Sequence, residues 1–552
     1  MFGDAAQTRT DSVWRELPPR NKEEVSMPYE DVSAGELDHE YVVIGAGVAG
    51  IGVGARLTTA GIDDFVILER AGNVGGTWRD NVYPGVAVDV PGWAYQFSFE
   101  LNAEWSRLFP PGAEIQTYLE HCADKYALRP RLRLHTEVYD VVYDAHRGAW
   151  TVHTSAGRLR ARYVVIAIGP FAEPKLPDIP GLDDFKGTVV HTAKWTPGTD
   201  VTDENVAVIG TGATAVQVIP EISDHARQLL VFQRTPIWIV PKFDFPLGNK
   251  FRSFLRSAPF ANRFVRVATA IAAESFGVGL FAFYRDFPFP AKAVAFIAKM
   301  HLRRQVRDRQ TRQKLSPNYD FGCKRPTISN KYLRTYSRPN VELITDGIER
   351  VTPHGIKTVN GKEHNVSMII LATGFGTADP NRRPPVKVVG AGGNDLHTFW
   401  RTNRPQAYEG TSVPGFPNLF FVFGPYAFNA GSYTNLVENQ ATHIIRVTTE
   451  ARRRGMPTVE ITAKANAAYL KAVRSRIEHT IFKATECSGA NSYYFDEFGD
   501  VSIFRPHTAP EGIWRARRFP LDDYTFSAPT TEPKNSADRY HIALDVSAPL
   551  EK

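Results

Sequence analysis

Short, wholly apolar runs recur along the chain and end on small-residue turns. Tyr41-Val-Val-Ile44 enters Gly45-Ala-Gly47-Val-Ala-Gly50 and then a helix-like stretch through Leu57. The order is repeated at Val206-Ala-Val-Ile209, which enters Gly210-Thr-Gly212-Ala-Thr-Ala215. Each reads as a strand, a tight turn and a helix. A second apolar strand follows each unit, Phe65-Val-Ile-Leu68 in the first and Leu229-Leu-Val-Phe232 in the second. Further strands are predicted at Tyr163–Ile168, Met368–Leu371 and Leu419–Val422, again with glycine turns after them. Between Phe243 and Phe296 the pattern changes to a Phe-rich, helix-like stretch interrupted by Pro and Gly.

The two units match in spacing and differ in charge. Glu69 lies 24 residues after Gly45, and Arg234 lies 24 residues after Gly210. In such units the first glycine allows a tight turn, the second lets a pyrophosphate approach, and the third lets helix pack on strand. A carboxylate at Glu69 accepts hydrogen bonds from ribose hydroxyls but repels a 2′-phosphate, which a guanidinium at Arg234 grips in a fork. The first unit is therefore expected to bind FAD through Gly45, Gly47, Gly50 and Glu69. The second is expected to bind NADPH rather than NADH, through Gly210, Thr211, Gly212, Ala213, Thr214, Arg234 and Thr235. The predicted fold class is α/β, with two Rossmann-like domains and the NADPH domain inserted into the FAD domain. The expected divisions are a polar extension at 1–40, the leading FAD-domain segment at 41–175, the NADPH domain at 176–365, the returning FAD-domain segment at 366–506, and a tail at 507–552. A helical insertion is expected at about 243–315, serving either as the wall of an apolar substrate pocket or as its own core.

Composition narrows the classes. The chain has 552 residues, too many for one simple core, with 43% hydrophobic and 22% charged residues. A net charge of +6 suits anionic cofactors, and no recognition module supports nucleic-acid binding. The run Val267–Phe283 contains Glu274 and is short for a membrane span, so it reads as a buried or interfacial helix, and no transmembrane segment is expected. The basic run Arg303–Lys314 reads as a solvated helix face. Cys122, Cys323 and Cys487 are far apart in sequence, which excludes a local dithiol or cysteine metal site. They read as free thiols of a cytoplasmic protein, Cys323 as inert packing. No metal is expected.

Between the two units, Phe185-Lys-Gly187-Thr-Val-Val-His191-Thr-Ala-Lys-Trp195 resembles the FxGxxxHxxxW signature of type I Baeyer–Villiger monooxygenases, with Thr196 where relatives carry Pro or Asp. Gly76-Thr77-Trp78 through Tyr83-Pro84-Gly85 to Asp89 is similar to a second family segment, and Phe321-Gly-Cys-Lys324-Arg325-Pro326 to a third. The resemblance runs from about Tyr41 to about Pro506. It implies FAD and NADPH as cofactors, and a ketone and O₂ as substrates that give an ester or lactone through a flavin C4a-peroxide. It also implies cofactor contacts from Gly76, Thr77, Trp78, Tyr83 and Asp89, and Lys324 beside the 2′-phosphate. Arg325, held by Asp89, is the implied catalytic residue, and His191 has a structural role. Two alternatives stay open at this point: an N- or S-oxygenating flavin monooxygenase, and an uncoupled NADPH-oxidising flavoprotein or redox sensor. Disulfide reductases are set aside for want of a cysteine pair. The oligomeric state is not readable.

Overall fold

The computed structural model describes residues 37–376, 384–429, 431–485 and 487–529. Most of the 1–40 extension and residues 530–552 lie outside them.

The chain first builds β1 (His39–Ile44), β2 (Phe65–Leu68), β3 (Leu132–Arg133), β4 (Val138–Asp144), β5 (Ala149–Thr154) and β6 (Gly157–Ile166) into one sheet. β3, β2, β1 and β6 are parallel, and β6, β5 and β4 form an antiparallel meander. Helix α1 (Val48–Thr59) follows β1. Gly45 between them has φ +103°, and a Cβ there would sit 2.9 Å from the carbonyl oxygen of Ala167, the residue after β6. A Cβ on Gly50 would fall 1.8 Å from the Gly45 oxygen, so helix and turn meet only because both residues lack one.

After β6 the chain leaves for a second, all-parallel sheet. This contains β7 (Thr188–His191), β8 (Asn205–Ile209), β9 (Gln228–Phe232), β10 (Val341–Ile344) and β11 (Met368–Leu371), in the order β10-β9-β8-β11-β7. Helix α2 (Ala213–Ile222) follows β8. Gly210 repeats the first turn, with φ +113° and a Cβ position 2.5 Å from the oxygen of Ala372, the residue after β11. The expected boundary at 365/366 is thereby corrected. β11 pairs with β7 and β8 inside the second sheet, so the chain returns to the first domain only after Leu371. It then adds β12 (Lys387–Val389) beside β4 and β13 (Leu419–Phe421) beside β6.

The outgoing and returning segments touch. Lys175 N–H donates to the Gly374 carbonyl (2.8 Å), the Thr373 hydroxyl donates to the Lys175 carbonyl (2.6 Å), and Pro174 bridges Phe375.

The helical insertion comprises α3 (Asn249–Ser257), α4 (Pro259–Phe281), α5 (Phe289–Gln305) and α6 (Arg309–Lys314). Asp308 caps α6 by accepting from Thr311 N–H (2.6 Å), which divides the expected basic helix face in two. Neither reading of the Phe-rich stretch holds. Of its twelve phenylalanines only Phe281 is buried; the other eleven are exposed, Phe260 and Phe289 at 78%. None of the twelve lines the cavity described below.

The expected tail at 507–552 also needs correction. α7 (Tyr433–Arg454) packs against α1 and against α8 (Ala509–Arg518). β14 (Thr458–Ile461) pairs with β15 (Tyr524–Ser527), so residues up to 529 belong to the first domain.

The Phe185–Trp195 segment straddles the edge of the second sheet. Phe185 is buried on one face with Ile209, Leu230 and Ile369, and Trp195 on the other with Val206, Val208 and Met368. Gly187 lets the chain pass between them: a Cβ there would meet the Ser367 oxygen and lie 2.7 Å from the Phe185 ring. Phe185→Ala is expected to destabilise the protein by about 3–5 kcal/mol, because a rigid sheet edge cannot collapse into the space vacated. Denaturant unfolding of the two proteins measures it, and a loss below about 1 kcal/mol counts against this packing role.

Candidate active site

The two glycine turns open into one cavity of about 2480 Å³ lying between the domains. The sequence-predicted residues Gly45, Gly47, Glu69, Gly76, Thr77, Trp78, Tyr83 and Asp89 line it from the first domain. Gly210, Thr211, Gly212, Ala213, Thr214, Arg234, Thr235, Lys324 and Arg325 line it from the second. Gly50 does not, since its place is the packing of α1 on the turn.

At the first turn, Glu69 is 5% exposed and held by three contacts. Its carboxylate accepts from Ala46 N–H (2.9 Å) and Ala71 N–H (3.0 Å) and pairs with Arg79 (3.1 Å). It is thus fixed at the end of β2, where ribose hydroxyls can reach a lone pair. Gly47 is the residue before α1 and carries no side-chain cap, so the first-turn N–H groups point toward the cavity, as an anion requires. Gly212 has the same role before α2, and a Cβ placed on it would meet open space.

The segment from Gly76 to Asp89 joins the domains. The Tyr83 hydroxyl donates to Gln217 on α2 (2.8 Å), and Gln217 donates back to the Ala87 carbonyl (2.9 Å). Tyr83 is therefore first a bridge between domains, although its edge lines the cavity. Trp78 donates to the Tyr95 hydroxyl (3.1 Å) with the rings edge to face.

Adjacent residues Lys324 and Arg325 meet opposite surroundings. Arg325 pairs with Asp89 through Nε (3.0 Å) and a terminal nitrogen (2.8 Å), and each side chain is about a third exposed, 32% and 33%. The Asp89 carboxylate drives the guanidinium pKa upward against the opposing effect of burial. Tyr493 stands beside it: burial raises the phenol pKa, while the charge of Arg325 pulls it down. Lys324 has no such acid. Burial, and then the charge of Arg234, lower its pKa. Two cations facing one cavity wall repel until an anion sits between them, which is the fit a 2′-phosphate offers. Thr235 is placed by two contacts, its carbonyl accepting from Thr211 (2.9 Å) and its hydroxyl from Asn491 (2.8 Å).

The signature residues Phe185, Gly187, His191 and Trp195 do not line the cavity. His191 ends β7 opposite Leu371 and is 7% exposed. Its Nδ1 accepts from Ala193 N–H (3.1 Å), and its ring faces Phe375 of the returning segment edge-on. Burial, with help from Lys194, lowers its pKa to about 4, while a backbone contact with Gly374 pulls the other way. It is neutral at neutral pH and faces the crossing.

One expectation about cysteine fails. Cys323 is bonded to Cys487, 164 residues away, which ties the Lys324–Arg325 loop to the segment carrying Asn491 and Tyr493. Only Cys122 is a free thiol, so free cysteine usage no longer supports a location in the cytoplasm. No sequence signal marks Asn491 or the cysteine pairing. No cluster of His, Cys, Asp and Glu suited to a metal occurs among the described residues.

The pyridine nucleotide-disulphide oxidoreductase family model matches residues 42–245. A Baeyer–Villiger monooxygenase of Streptomyces coelicolor is 36% identical over 498 residues, 89% of this chain and 94% of its own length. One of Pseudomonas aeruginosa is 37% identical over 447 residues, 81% and 84% of the two chains. The chain belongs to the Baeyer–Villiger monooxygenases. Solved structures agree in fold. A steroid monooxygenase bound to NADP matches with a TM-score of 0.78 at 29% identity, covering 89% of this chain and 99% of that one. Cyclohexanone monooxygenase from Rhodococcus sp. Phi1 bound to NADP⁺ matches with a TM-score of 0.78 at 27% identity, covering 90% and 100%. OTEMO in complex with FAD and NADP gives the same TM-score, 0.78, at 27% identity, covering 89% and 100%. The fold is thus that of a flavoprotein monooxygenase with FAD- and NADP-binding Rossmann-like domains.

The His191 ring should be visible in stability. An unfolded histidine titrates near 6.5 and this one near 4, so between those values the unfolded chain binds the extra proton. The stability it contributes is complete above pH 6.5 and is lost as pH falls toward 4. His191→Asn is expected to flatten the acid side of the unfolding free energy by about 3 kcal/mol across that window. Denaturant unfolding at a series of pH values measures the slope, and an unchanged slope rules the assignment out.

Proposed function

We propose that this chain inserts one oxygen atom of O₂ beside the carbonyl of a ketone, giving an ester or lactone, with FAD as resident cofactor and NADPH as reductant. Ketone, O₂, NADPH and a proton become ester, water and NADP⁺. FAD reduced by NADPH supplies the activation of O₂, which ordinary side chains do not provide. The observation that carries the reading is Arg325, held by Asp89 in the cavity that both glycine turns open into.

The protein supplies positioning and charge. The first turn and Glu69 hold the FAD pyrophosphate and ribose; Thr77 and Trp78 line the same wall. The second turn receives the NADPH pyrophosphate, while Arg234, Thr235 and Lys324 receive its 2′-phosphate. Arg325 keeps a fixed positive charge at the reacting region, and a guanidinium does not surrender its proton at working pH. That charge lowers the proton affinity of a reactive oxygen anion and stabilises negative charge developing on the ketone oxygen. Asp89 is a positioning residue, because its contact is with Arg325. Tyr493 adds a neutral phenol on the same guanidinium.

Arg325→Ala is expected to leave flavin reduction by NADPH within a few-fold of wild type and to reduce ester formation by about 10²–10³-fold. Stopped-flow absorbance and product chromatography separate the two steps, and ester formation near the wild-type rate defeats the role. If the parent enzyme oxygenates amines or sulfides but no ketone, the N- or S-oxygenating alternative replaces the present reading. If it only releases hydrogen peroxide, the oxidase alternative does.

Arg234→Ala is expected to raise KM for NADPH by about 10- to 100-fold, the loss of a charge-assisted contact, with little change for NADH. Equal losses for both coenzymes remove the 2′-phosphate assignment.

A further inference from the structure

The helical insertion turns its phenylalanines outward in an ordered way. On α4 the exposed Phe260, Phe264, Val267 and Ile271 follow one another at steps of four, three and four residues, a single stripe at helical spacing. The rest of the helix is held by protein. Arg266 donates to Asn435 on α7 (2.9 Å), and Phe281 packs its ring on Phe482, Tyr494 and Phe504. Phe289, Phe296 and Ile297 are exposed on α5, and Phe283 and Phe287 on the turn between the helices. Glu274 turns from this surface to accept from the Ala509 N–H at the start of α8, and α8 adds exposed Ile513 and Trp514 beside that contact.

Charge accompanies the apolar surface. From Asn249 to Gln305 the sequence has ten Lys and Arg residues against two acids, Glu274 and Asp286. Arg263, Lys292, Arg303 and Arg304 are exposed and have no acidic partner among the described residues. Lys292 and Arg303 fall at helical spacing beside Phe289 and Phe296 on α5. An apolar stripe flanked by unpaired cations matches a surface that offers hydrocarbon and negative charge together.

We infer that α4 and α5 dock this protein, in the plane of the interface, on an anionic lipid bilayer. α4 has 23 residues and a mean hydropathy of 1.5 over its most apolar stretch, of which 22% is buried, so by length and composition it passes for a membrane span. The Arg266 contact with α7 and the packing of Phe281 on the Phe482 cluster hold it to the body of the protein instead, and a helix so held lies on a bilayer rather than through it. A second copy of the chain is disfavoured as occupant, because two such faces would bring two sets of unpaired cations together. Phe281, the buried end of α4, packs on Phe482, which lines the cavity, so one helix joins the lipid-facing stripe to the cavity wall. The docking is independent of the reaction assigned above.

The test uses the full-length, FAD-loaded enzyme with vesicles of phosphatidylcholine alone or with about 30% phosphatidylglycerol, followed by flotation. The triple variant Phe260→Ser/Phe264→Ser/Phe289→Ser removes apolar contacts, and Val359→Ser alters an equally exposed apolar residue elsewhere. Wild type and the Val359 variant are expected to partition onto the anionic vesicles at least about tenfold more strongly than onto the neutral ones, and the triple variant to lose at least about tenfold. Flavin reduction by NADPH in solution, unchanged in the triple variant, shows that it is folded. Absence of wild-type binding, or equal binding of the triple variant, overturns the inference. So does a wild-type dimer in analytical ultracentrifugation that the triple variant abolishes while vesicles go unbound.

Discussion

The structure depends on one contact between two passing strands of chain. The segment leaving the first sheet and the segment returning to it are hydrogen-bonded at Lys175, Thr373 and Gly374. Each glycine turn presses on the start of one of these segments, Gly45 on Ala167 and Gly210 on Ala372. A shift at the crossing is therefore felt at both nucleotide turns at once, because neither Gly45 nor Gly210 has room for even a methyl group. His191 lies against the returning segment through Phe375. The family signature accordingly concerns the joint between domains. Phe185 and Trp195 clamp the two faces of the second sheet beside that joint, and the histidine between them faces the crossing.

Electrostatics then divides the labour between neighbours in sequence. Arg325 has its acid, Asp89, and stays charged with a fixed orientation. Lys324 has no such acid: burial, and then the charge of Arg234, disfavour its protonated form. An anion bound there would relieve repulsion one residue from the Arg325 guanidinium. The Cys323–Cys487 bond fixes the other side of the same loop and carries Asn491 and Tyr493 with it. Three contributions thus converge on residues 323–325: the first domain through Asp89, the second through Arg234, and the C-terminal region of the chain through Cys487.

Local chemistry is legible in the sequence, and long-range partnership is not. The strand–glycine–helix order is encoded within a dozen residues, so both turns and the 24-residue spacing to Glu69 and Arg234 read directly. The α/β class with one domain inserted in the other follows from the same repetition. The return boundary is misplaced by sequence because Met368–Leu371 is equally apolar in either sheet, and only its pairing with Thr188–His191 and Val206–Ile209 decides. Cysteines 164 residues apart give no spacing signal, so Cys323 looks like packing. Asn491 escapes for the same reason, its partner Thr235 being 256 residues away.

The phenylalanines show the limit most clearly. Helical periodicity predicts that Phe260, Phe264, Val267 and Ile271 share a face, but it does not say what that face meets. A core, a pocket and a lipid surface all select the same apolar residues at the same spacing. What separates them is charge at the margin. A core excludes unpaired cations because burying them is costly. A pocket admits one or two where a ligand needs them. A lipid surface gathers them around the apolar stripe, where ammonium and guanidinium groups remain hydrated beside anionic headgroups. The excess of ten cations over two acids from Asn249 to Gln305 is readable without coordinates, and it points away from both a core and a pocket.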